Sequence, residues 1–140
     1  METSSIFPKD MLRNQGTEMS PDIIATKLSW FELQLHNLHW NTRTYSEHVC
    51  LGALYDKVFD LKDEIVEKVM GYTGTRASIG KIDAIKPYGI GVSESVVNEL
   101  KSFAKQLETY ASLNNMPDIE NISQSLSGDA VKTLYLLTLS

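Results

Sequence analysis

Two histidines and a ladder of carboxylates are the residues of this chain best placed to do chemistry. The stretch from His39 to Glu67 reads HWNTRTYSEHVCLGALYDKVFDLKDEIVE. His39 closes one helical pattern and His48 opens the next. Asp56, Asp60, Asp63 and Glu67 follow. Imidazole nitrogens and carboxylate oxygens that converge from packed helices hold iron-type metals. Asp63 and Glu67 are four apart, so they share a helix face and could share an ion. Glu32 and His36 sit on the edge of the first helix's core stripe. They read either as inner ligands within one subunit or, for His36, as a hydrogen-bonded residue at the core edge, and the second reading is preferred. Cys50 reads as a small buried apolar residue. No Cys/His spacing suggests zinc, and no glycine-rich loop has the context of a phosphate site.

Helices must position these groups. Ser20-Pro21-Asp22 is a helix start: a capping hydroxyl, a proline at the first helical position, and an acid near the positive end of the dipole. Ile24, Leu28, Phe31, Leu35 and Leu38 then recur at helical spacing, which predicts a first helix running to about Arg43. Its opposite side carries Trp30, Leu33 and Trp40. A helix apolar on two sides needs two partners, and in a small bundle the second is often another subunit. Ser46-Glu47 is expected to cap the second helix. Its core stripe is Leu51, Leu54, Val58, Leu61, Ile65 and Val69, with Tyr55, Phe59, Val66 and Met70 to one side. Gly71 and Gly74 can stop it.

Residues 73 to 92 are glycine-rich and too long for a tight turn. They predict a crossover along the bundle, with a short helical turn near Ile82 to Lys86. Ser93-Glu94 is expected to cap a third helix, with Val96, Leu100, Phe103, Leu107 and Tyr110 inward and Asn114-Asn115 at its end. Pro117-Asp118 starts a fourth, with Ile119, Ile122, Leu126, Ala130, Leu134 and Leu137 inward. Ser127-Gly128 inside it predicts a kink or break. No strand pattern competes. The expected fold is all-α, over residues 20–140: a ferritin-like four-helix bundle with a long crossover between helices two and three. Residues 1–19 carry no period and read as an N-terminal tail or arm.

At 100° per residue, Asp56, Asp60, Asp63 and Glu67 lie nearly opposite the second helix's core stripe. Within one subunit they form a solvated acidic face. The apolar strip beside them and the apolar outer side of the first helix point to a homodimer through the outer faces of helices one and two. Carboxylates half-buried there are costly unless a cation compensates them.

A chain of 140 residues is one domain with room for a core. The net charge of −5 disfavours broad binding to DNA. One cysteine makes no disulfide framework and fits a reducing compartment. The sequence METSSIFPKDML shows no signal peptide, and no apolar run approaches a membrane span. A cytoplasmic protein is expected.

The motif LHNLHWNTRTYSEH followed by DLKDEIVEK resembles the Dps-type miniferritins. In that family His-Trp-Asn closes the first helix, a second His opens the next, and a D-x-x-x-E pair follows. His39 and His48 match the two histidines; Asp63 and Glu67 match the pair. The turn between the histidines is a few residues shorter here. The ending ISQSLSGDAVKTLYLLTL is similar to the family's last helix. The resemblance covers roughly residues 21 to 138. It implies iron bound between two subunits, with histidines from one and the Asp-Glu pair from the other, iron(II) oxidation, and assembly into a larger homo-oligomer.

Two departures stand out. The family has an aspartate one turn after the second histidine, where this chain has Gly52; one iron position is therefore better supported than two. The basic tail of DNA-binding members is missing from residues 1 to 19. The chain also resembles small ferritin-like proteins of tailed phages, which places it in the virion as an alternative location. Three readings stay open: an iron-binding ferroxidase using His39, His48, Asp63 and Glu67; a phage or cellular structural or assembly protein with a degenerate site; and, least supported, a non-specific DNA binder.

Overall fold

The computed structural model describes residues 19–140. The expected arm lies outside the described residues except for Met19, which packs against the core. The described residues form four α-helices and no strand. They are α1 (Pro21–Asn41), α2 (Tyr45–Thr73), α3 (Val92–Leu113) and α4 (Pro117–Leu137). None is long and apolar enough to cross a membrane.

Local chemistry sets most of the helix ends. Ser20 Oγ accepts from Ile23 N at 3.2 Å, with Pro21 at the first position. The α2 cap is Thr44, whose Oγ1 accepts from Glu47 N, rather than the expected Ser46-Glu47. Gly74, at φ 71°, ends α2 in the left-handed conformation that glycine adopts without strain. The α3 cap is Gly91, not Ser93-Glu94. Ser93 lies inside the helix and is buried, because its hydroxyl donates to Glu47 Oε2 at 2.5 Å. The Ser127-Gly128 step does not break α4, which runs continuously from Pro117 to Leu137. Gly128 sits on the exposed side, so α4's buried face keeps its packing.

The turn after α3 is a Schellman motif. Met116 N donates to Ala111 O at 2.9 Å and Asn115 N to Ser112 O at 3.4 Å, with Asn115 at φ 57°. Asparagine tolerates this conformation better than other side chains. Asn115→Ala is expected to cost about 1–2 kcal/mol in urea unfolding, while Asn115→Gly should cost nothing.

The core follows the helical stripes. Every expected inward residue of α1 and α3 is buried, and so are Leu51, Leu54, Val58, Ile65 and Val69 of α2. Leu61, Ile122, Leu134 and Leu137 are only partly covered. Helix α1 packs on α2, α3 on α4, α2 on α4 and α1 on α3.

Residues 75–89 form no helix, and the expected turn near Ile82 to Lys86 is absent. Instead this segment lies along α1 on a ladder of side chains at four-residue spacing. Asp22 Oδ1 accepts from Ser78 N and Thr26 Oγ1 from Gly80 N. Trp30 Nε1 donates to Ala84 O, and Gln34 bonds both the N–H and the carbonyl of Lys86. A backbone satisfied by side chains of α1 has no need of helical turns. The same contacts cover Trp30 within the subunit, so only Leu33 and Trp40 of the outer side stay open.

Where α2 ends, Asp118 of α4 accepts from the Tyr72 hydroxyl and lies 3.2 Å from Lys68 Nζ. The Tyr72 hydroxyl, and then Lys68, holds the Asp118 carboxyl below its usual range. Asp118 raises the Tyr72 phenol; Glu64 and then Asp118 raise the Lys68 ammonium. A lowered carboxyl adds stability above its unfolded pKa and loses it as pH falls through the folded one. A raised phenol or ammonium adds stability below its unfolded pKa and loses it as pH climbs through the folded one. The clasp should therefore be complete between about pH 5 and 9 and weaken on either side. Urea midpoints across pH should show this, with a shallower acid limb in Asp118→Asn.

Candidate metal centre

His39 lies in the last turn of α1 and His48 in the first turn of α2. Each ring donates its Nδ1 hydrogen to the other residue's carbonyl: His39 Nδ1 to His48 O at 2.7 Å, and His48 Nδ1 to His39 O at 2.9 Å. The rings stack with centroids 3.9 Å apart and 17° between planes. A carbonyl oxygen can only accept, so each Nδ1 carries the hydrogen, which leaves Nε2 as the nitrogen able to offer a lone pair. The arrangement also serves the fold, because the His39 carbonyl is among those a helix end leaves without an internal donor.

An Nδ1–H fixed on a backbone carbonyl is the support that metal-bound imidazoles ordinarily have. Rings stacked this closely cannot both aim an in-plane lone pair at one point, so a single ion would meet one ring unless the other turned.

The expected carboxylates do not join this pair within the subunit. Asp56, Asp60, Asp63 and Glu67 are all exposed. Asp63 is fifteen residues beyond His48, about 22 Å along the helix axis. Among the described residues no three His, Cys, Asp or Glu side chains come together.

The inner-ligand alternative also falls away. Lys62 Nζ lies 2.6 Å from Glu32 Oε1, which pairs the charges although that oxygen has no well-angled hydrogen-bond donor. His36 stacks on Tyr55 at 4.0 Å and tilts against Trp40 at 3.9 Å, so ring contacts hold it where a hydrogen bond was expected. Cys50 is buried as expected, and burial, then the Glu47 charge, pushes its thiol up.

Around the pair lies an apolar outer face. Trp40 is 66% exposed and Phe59 54%, and Leu33, Tyr45 and Val49 are also open. The seam of α1 and α2 is otherwise filled by Trp40, His36, Tyr55 and Phe59 in successive ring contacts.

Sequence reasoning missed two residues. Gln34, fully buried, ties α1 to residue 86; an amide at a core-edge position of the helical pattern was its available signal. Glu47 accepts from Ser93 and from the Tyr88 hydroxyl at 3.4 Å, joining the starts of α2 and α3 beside the histidines. A groove of about 910 Å³ between α1, α3 and residues 80–86 has Trp30, Phe31 and Phe103 among its lining. It contains none of the expected ligands.

Residues 39–137 match a protein family described as a family of unknown function, DUF5856. The chain is also 24% identical, over 106 residues, to an uncharacterised 14.6 kDa protein encoded in the mobD–ri intergenic region of Enterobacteria phage T4. That match spans 74% of this chain and 77% of the phage protein. No solved structure matches the chain.

Proposed function

The chain belongs to the family DUF5856, and we propose that it is a Dps-like, ferritin-like bundle that binds iron(II) between two subunits. Helices α2 and α3 start at the same end, where Ser93 meets Glu47. The segment between them follows α1 from Asp22 to Gln34. Both features support the crossover form of the bundle.

The single observation that carries the metal reading is the histidine pair, both rings anchored at Nδ1 with Nε2 left as donor. The donor chemistry fits the ion: imidazole with carboxylate is the ligand set of non-haem iron. One subunit lacks the oxygens, so the reading requires a second. A two-fold axis near Tyr55 and Phe59, roughly midway along α2, sets the histidine end of one subunit against the Asp63–Glu67 end of its partner. The exposed apolar face supplies the contact.

Iron is the substrate in this reading. One histidine ring holds it by Nε2, the second joining only if it turns, and the partner's carboxylates neutralise its charge and favour the oxidised ion. With Gly52 in place of a carboxylate, one position has the fuller donor set.

Purified protein should sediment as a dimer or a larger homo-oligomer and should speed the oxidation of added iron(II) by added hydrogen peroxide, each peroxide taking one electron from each of two iron(II) ions and two protons to give water. Phe59→Glu is expected to reduce the mass to the monomer and abolish oxidation together, because a charge would be buried at the contact. Unchanged oxidation kinetics in His48→Ala/Asp63→Ala would overturn the site, and a monomeric wild-type protein would overturn the intersubunit reading.

A second reading is favoured by the separation of the histidines from the acids within one chain. In it, the bundle is a structural or assembly protein of phage origin or a cellular counterpart, and the histidine pair only fastens α1 to α2. It predicts an oligomer that takes up no iron.

A further inference from the structure

Gly52 stands one helical turn after His48, on the side of α2 where the His39 ring lies. A Cβ placed on Gly52 would lie 2.7 Å from His39 Cε1 and 2.9 Å from His39 Nδ1. Carbon atoms do not approach that closely, so either the ring or the helix would have to move. The ring has little room to yield. One face is stacked on His48, and its Nδ1 is bonded to the His48 carbonyl. Moving it would break the contacts that fix which nitrogen is free. Glycine is also a poor residue for this place on other grounds, because it weakens a helix interior relative to alanine. Gly52 has ordinary helical backbone within α2, so no left-handed turn calls for it.

We infer that Gly52 is the positioning residue of the histidine pair: its missing side chain admits the His39 ring and keeps a carboxylate out of that turn. The consequence for the metal site rests on the reading above. Gly52 is then not a ligand that has been lost. It exchanges a carboxylate for a fixed imidazole, so that turn offers the ion a nitrogen donor in place of an oxygen. The role belongs to the histidine-bearing subunit alone and does not depend on how the carboxylates arrive.

The first test uses metal-free protein. Gly52→Ala in the wild-type background should lower Tm and shift the His39 imidazole nitrogen resonances, because the Nδ1 hydrogen bond is lost. The same substitution in a His39→Ala background should raise Tm, since only the helix-propensity gain remains. Equal Tm increases in both backgrounds, with the His39 resonances unmoved, would overturn the inference whatever the protein does with metals.

The second test titrates cobalt(II) alone, followed by visible absorption. Gly52→Ala should weaken binding about 10- to 100-fold, the usual effect of removing the support of a ligating histidine. Gly52→Asp should weaken it too. Tighter cobalt binding by Gly52→Asp would show a vacated ligand position and overturn the inference. Should the wild-type protein bind no cobalt, the iron reading falls, while the Tm sign reversal still decides the role of Gly52.

Discussion

Mixing two inactive variants is expected to restore metal binding. One variant, His39→Ala/His48→Ala, keeps the carboxylates; the other, Asp63→Ala/Glu67→Ala, keeps the histidines. Neither alone should bind, because a site built across a two-fold axis takes one half from each chain. After unfolding and refolding together, a mixed dimer has one site with both halves intact and one with neither. Binding should return to about half the wild-type stoichiometry per mixed dimer. Refolding each variant separately before mixing should restore nothing unless the subunits exchange. The physical basis is distance: Asp63 stands about 22 Å along α2 from His48, far beyond any ligand's reach within one chain. Full recovery of either variant by itself would remove the intersubunit geometry.

Replacing Gln34 is expected to cause a large loss of stability. Its amide is fully buried and makes two bonds to one residue, Nε2 to Lys86 O at 3.0 Å and Oε1 from Lys86 N at 2.6 Å. Gln34→Leu keeps the volume and removes both partners, leaving a half-covered N–H and carbonyl. The expected cost is about 2–4 kcal/mol, since each unpaired backbone group costs roughly 1–3 kcal/mol and the partial exposure of Lys86 lets water recover some. That is a large share of a domain's usual stability. Gln34→Glu should be worse than its shape suggests, because a carboxylate has no hydrogen for the Lys86 carbonyl. Urea unfolding measures both. Proteolysis between residues 78 and 86 should accelerate in step, because these substitutions release that segment first.

Much of the fold was legible because the decisive interactions are local. Ser20 caps α1 through a residue three away, Pro117 sets the start of α4, and the inward stripes follow from the helical repeat alone. The exposed position of Asp56, Asp60, Asp63 and Glu67 followed from the same geometry. Reasoning went astray where a distant partner outbids a local preference. Ser93 looks like a cap, yet its hydroxyl is taken by Glu47, 46 residues earlier. Trp30 looked like a side chain awaiting a second subunit, yet Ala84 covers it from 54 residues on.

By itself, then, the sequence determined four amphipathic helices, their order, and the placing of His39 and His48 on either side of one short turn. Helical periodicity and capping act over a few residues, so they can be read without the fold. Only the tertiary structure decided that the two rings stack and exchange hydrogen bonds, which nitrogen each leaves free, and that Gly52 lies against His39. Those are contacts between the end of one helix and the start of the next, and they depend on how the helices cross.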